Sequence, residues 1–171
     1  RSPFLAGWEE ESSARALLDA HLRETGEWNV LLQLVMDDGS RAEQPYHCPV
    51  FVQCLKQLLE LTRVRPEIAK PGEWGRQFSR WLTAVGWPGD RSLTSTEFQV
   101  IQTWQALLQQ FVSLDWVAQP MTLPSALSRL KEMAASTVFQ PESPVASIQV
   151  LGLLETNGLQ FDYLWVMGVH D

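Results

Sequence analysis

Two short apolar runs, residues 148–154 and 163–167, close a chain whose earlier apolar residues recur at helical spacing. Ile148, Val150, Leu151, Leu153 and Leu154 stand almost without polar interruption, as do Leu164, Trp165, Val166 and Met167. Strands buried on both faces read this way, and parallel sheets bury both faces. The hinge between the runs is too short for a crossover helix, and its Gly158 permits a backbone turn that other residues avoid. Such a pair needs further strands beside it, which the 171 residues do not supply. The pattern predicts a mainly α chain cut from something larger. A helical subdomain of five or six helices covers residues 1–140, and a linker with a strand-turn-strand piece covers 141–171.

The helices follow from period and punctuation. Ser12 or Ser13 can cap a first helix carrying Leu17, Leu18 and Leu22 and ending before Gly26. Val30, Leu31, Leu34 and Val35 space a second, which Asp37-Asp38-Gly39-Ser40 should break. Pro49 suits the first position of a third, which runs through Phe51, Val52, Leu55, Leu58 and Leu59 to Thr62. A two-proline loop at residues 63–71 leads to a fourth, where Trp74, Phe78, Trp81, Leu82 and Val85 form one apolar stripe. Gly86-Trp87-Pro88-Gly89-Asp90 is turn chemistry and stops it. Thr94 followed by Glu97 is a capping box, in which each side chain meets the other residue's free backbone N–H. The helix it opens carries Phe98, Ile101, Trp104, Leu108, Phe111 and Val112 and should end near Val117. Thr122 caps a last helix through Leu127, Leu130 and Met133, and residues 140–146 form a proline-flanked linker.

Composition narrows function mainly by exclusion. A formal net charge of −7 argues against a surface that tracks phosphates everywhere, though not against a local basic patch. Cys48 and Cys54 match no zinc spacing, and His21, His47 and His170 add no ligand set, so no metal site is expected. Two thiols packed as small apolar groups fit a reducing cytosol. No run approaches the ~20 apolar residues of a membrane span, and no signal peptide opens the chain. Together these predict a cytoplasmic protein with no membrane partner. No glycine-lysine phosphate loop occurs, and no nuclease carboxylate-lysine set is evident.

The C-terminal segment resembles motif V of UvrD/Rep-type helicases and their RecB and AddB relatives. In that family a strand runs into a threonine-x-histidine step, then alanine-lysine-glycine-leucine-glutamate-phenylalanine, then a second strand. Gly158, Leu159, Phe161 and Asp162 match the glycine, leucine, aromatic and aspartate positions. Gly152 stands where the family has threonine, Leu154 where it has histidine, Asn157 where it has lysine and Gln160 where it has glutamate. In active members that glutamate helps hold the nucleotide sugar, and its polar neighbours contact DNA and couple it to ATP. Leucine and glutamine do neither, so the resemblance implies a retained scaffold with lost chemistry. Trp-Pro-Gly-Asp at 87–90, the Phe98-Gln99 helix and Phe139-Gln140-Pro141 are similar to a bacterial group of DNA-repair proteins. Those join a degenerate helicase-like body to a RecB-type nuclease domain. The resemblance implies a helical insert re-entering a RecA-like sheet, with flanking RecA-like and nuclease domains as partners. ATP and magnesium would belong to the parent protein, and no cofactor to this segment.

Candidate residues follow from both lines. Glu155 is a carboxylate in the hinge, to be weighed against a simple turn cap, and Asp162 against a backbone bond in the turn. Lys56, Arg63, Arg65, Lys70, Arg76 and Arg80 face only Glu60, Glu67 and Glu73 in the same stretch, a local excess of three positive charges. The functional reading is a phosphate-contacting patch around residues 63–71; the plain one is a charged surface with pairs such as Lys56 and Glu60. Trp74, Trp81 and Trp104 could stack on bases, but their spacing favours core packing, and Trp87 is the tryptophan expected to be exposed. The expectation is a non-catalytic, DNA-positioning portion of a repair or recombination protein. The alternatives are part of an active ATP-dependent helicase or exonuclease, and a helical protein-interaction module with no DNA role.

Overall fold

The computed structural model describes residues 2–24, 32–141, 148, 150–152, 155–156 and 158–168. The chain divides into two compact units, Arg1–Pro141 and Glu142–Asp171. Among the described residues the first holds six α-helices: α1 (Trp8–Glu24), α2 (Leu32–Gly39), α3 (Pro49–Arg63), α4 (Pro71–Ala84), α5 (Ser95–Ser113) and α6 (Leu123–Ser136). Two two-residue strands, β1 (Ile68–Ala69) and β2 (Met121–Thr122), pair antiparallel with Ile68 opposite Thr122 and Ala69 opposite Met121. The chain is mainly α, with one pair of short strands among the described residues. The pair lies between α3 and α4 and ahead of α6, not in the tail.

Local signals place α3, α4 and α5 closely. Pro49 and Pro71 open their helices, where a missing N–H costs nothing. Thr94 Oγ1 accepts from the Glu97 N–H at 3.2 Å, and the Glu97 carboxylate accepts from the Thr94 N–H at 2.9 Å, so the capping box forms as read. Arg91 adds an ion pair to Glu97. This guanidinium, together with the backbone bond, holds the Glu97 carboxyl down at about 2. A 3-10 turn, Leu114–Trp116, carries α5 toward the expected end.

Other starts and stops differ, each because a distant group takes part. α1 begins at Trp8, a turn before Ser12, because Asp90 accepts from the Gly7 and Trp8 N–H groups at 3.1 and 3.3 Å. Ser12 and Ser13 therefore lie inside the helix. The buried face of α1 is Glu11, Arg15 and Leu18, while Leu17 is exposed. Asp37-Asp38-Gly39 stays helical and the turn comes at Ser40, whose N–H reaches the Met36 carbonyl at 3.0 Å. Asp38 is buried against Arg41 and His21. Thr122 occupies the N-cap position of α6 without capping it, and its hydroxyl lies 3.1 Å from that of Ser125. Trp28, Val30 and Leu31 of the expected second helix lie outside the described residues.

The main core lies between α4, α5 and α6. Trp74, Phe78, Leu107, Leu108, Phe111, Ala126 and Leu130 are buried there, with Trp81 and Trp104 packed at its margin. Trp74 is fully buried, and its indole N–H donates to the Met121 carbonyl at 2.8 Å, tying α4 to β2. Phe78 sits 6.1 Å from both Trp74 and Phe111, ring centre to ring centre, within the range of favourable aromatic pairs. The tryptophan stripe is thus core, as its spacing indicated. A smaller cluster of Leu18, Tyr46 and Cys48 joins α1 to the loop before α3. Trp87 is half-buried, and among the described residues of this unit the outward-facing tryptophan is Trp116, 91% exposed.

The α4–α5 contact depends on Gly75, where an added Cβ would lie 2.6 Å from Val112 Cγ2. Gly75→Val forces the helices apart, and overpacking of this kind costs about 1–3 kcal/mol. The expected result is a lower urea midpoint with an unchanged slope. Glu97→Gln keeps a capping side chain but removes the charge. Glu97 is held below its ordinary value of 4.5 in the folded state, so its stabilisation is present above that pH and fades toward about 2. The melting-temperature gap between wild type and Glu97→Gln should be full at neutral pH and close as pH falls through that window.

Candidate functional site

Pairing of β1 with β2 brings the loop after α3 beside the first turn of α6. Between them lies a groove of about 370 Å³ lined by Arg63, Arg65, Pro66, Glu67, Thr122, Leu123 and Pro124. Arg63 is the last residue of α3, where a cation complements the helix dipole. Arg65 donates from Nη1 to the Thr62 carbonyl at 2.9 Å, which fixes part of its side chain while leaving it exposed. On the opposite wall, the first turn of α6 has no side-chain cap for its N–H groups. Two guanidinium groups and an uncapped helix start on one groove suit an anion, which Glu67 partly opposes.

The remaining basic candidates are exposed but do not line the groove. Lys56 precedes Arg63 by two turns on the solvent side of α3. Lys70 holds the N-cap position of α4, and Arg76 and Arg80 stand one turn apart on its outer side. Among the described residues none of the six forms an ion pair; the Lys56–Glu60 pair that helical spacing allows is not made. The structure therefore brings together Arg63 and Arg65, and leaves the other four as separate exposed charges.

Within the C-terminal unit, Glu155 closes a turn. Its carboxylate accepts from the Gly152 N–H at 2.8 Å, and its own N–H donates to the Gly152 carbonyl at 3.0 Å. A second turn follows, from the Leu159 N–H to the Thr156 carbonyl at 3.1 Å, with Gly158 at φ +81 inside it. Leu159, Gln160, Phe161 and Asp162 are exposed, while Leu154 and Asn157 lie outside the described residues. The expected strands over 148–154 and 163–167 are not formed at the described positions, and residues 163–167 are 63% or more exposed. A segment apolar on both faces holds as a strand only when neighbours take both its hydrogen-bonding edges and cover both faces.

A cluster not read from the sequence lies in the first unit. Glu11 and Arg15, one turn apart on α1, are each 5% exposed. The Glu11 carboxylate accepts from Arg15 Nη2 at 2.9 Å, and from the Val50 and Phe51 N–H groups at 2.6 and 3.0 Å, so it caps α3 as well. Arg15 also donates to the Ala6 carbonyl and lies over the Phe51 ring at 4.9 Å. Its i, i+4 spacing was visible in the sequence; its burial was not, since an ion pair of this spacing ordinarily faces water. Burial pushes the Cys48 thiol up to about 11; the Glu11 charge adds to this and Arg15 opposes it. Cys54 is raised for the same first reason. Neither thiol suits a nucleophile, which works as the thiolate. Among the described residues no three His, Cys, Asp or Glu side chains converge as a metal site, and no helix is long and apolar enough to cross a membrane.

No protein-family model, curated protein or solved structure matches the chain.

Two outcomes follow from the buried cluster. Glu11→Ala strands the Arg15 charge and uncaps α3, and breaking a buried pair from one side costs about 3–5 kcal/mol. Urea unfolding should show that loss, and the double variant Glu11→Met/Arg15→Met should recover much of it. In the folded protein both cysteines should react with a disulfide reagent at pH 8 far more slowly than in urea, where both titrate at once.

Proposed function

We propose that this chain is a non-catalytic, helicase-like portion of a bacterial DNA repair or recombination protein, and that it contacts the phosphate backbone through the Arg63–Arg65 groove. The observation that carries this is the placement of Arg63 and Arg65, with one acid, Glu67, beside them, opposite the uncapped first turn of α6. Phosphate contacts of this sort position nucleic acid without reading its bases. Lys56, Lys70, Arg76 and Arg80 supply further exposed positive charge on α3 and α4. The motif V likeness of residues 152–162 supports the helicase-like part of the reading. Glu155 spent on its own turn, with Gln160 where a sugar-binding glutamate would stand, supports the absence of catalysis. Flanking RecA-like and nuclease domains would then perform the chemistry with their own ATP and magnesium.

A second reading, a protein-interaction module, has one observation in its favour. Leu114, Val117, Ala118 and Met121 line a groove of about 510 Å³ beside the exposed Trp116.

Fluorescence anisotropy with labelled single- and double-stranded oligonucleotides separates the two. The DNA reading expects binding at about 50 mM salt that weakens steeply toward 200 mM. The double reversal Arg63→Glu/Arg65→Glu should lower the salt slope by about 2, one for each lost phosphate contact. Absence of binding at low salt, or binding indifferent to the reversal, would remove the groove from the interface and favour the second reading.

A further inference from the structure

We draw no further inference here: the strongest candidate, the exposed apolar run at residues 163–167 of the C-terminal unit, is an unpartnered face, and nothing in the structure shows what covers it.

Discussion

Three helices of the first unit start on carboxylates borrowed from elsewhere in the chain. Asp90 meets α1, Glu11 meets α3, and Asp115 meets the Gly72 N–H in the first turn of α4 at 2.6 Å. A helix start leaves N–H groups without partners and carries a partial positive charge, so an anion there is favoured twice over. Each such contact contributes only about 1 kcal/mol, far less than the apolar core. Its geometric effect is larger. A carboxylate bound to a helix start fixes where that helix begins relative to a segment remote in sequence. Asp115 ties the end of α5 to the start of α4, and the β1–β2 pair and the arginine groove sit beside that junction.

The same contacts change how the net charge should be understood. Glu11, Asp38, Asp90, Glu97 and Asp115 spend their carboxylates on backbone N–H groups or on arginines within the fold. Arg15, Arg41 and Arg91 are spent with them. Arginine and lysine between residues 56 and 80 have no such partners among the described residues and remain exposed. A formally acidic chain thus keeps a basic stretch of surface, and a phosphate-binding role and a net charge of −7 are compatible.

The C-terminal unit shows the opposite situation. Among its described residues, Gly152 with Glu155 and Thr156 with Leu159 close local turns, and the apolar side chains of residues 159–167 lie open. Apolar runs report that a segment is made to be covered. They do not report that the cover lies within reach, and a strand cannot form on its own edges. Spacing and glycine placement in residues 152–162 cannot say whether a carboxylate such as Glu155 faces a ligand or its own backbone.

The sequence by itself determined the mainly α class, the starts of α3, α4 and α5, and the tryptophan-lined core. Each of those is encoded within one or two turns: a proline at the first position, a threonine three residues before a glutamate, an apolar residue at every third or fourth place. Tertiary structure decided what contacts between distant residues decide. Asp90 reaches α1 across 83 residues, Glu11 reaches α3 across 39, and the Ile68–Thr122 pair joins the two segments whose residues line the groove. No periodicity marks such partners, because the hydrogen bond forms only once the core has brought the two segments together.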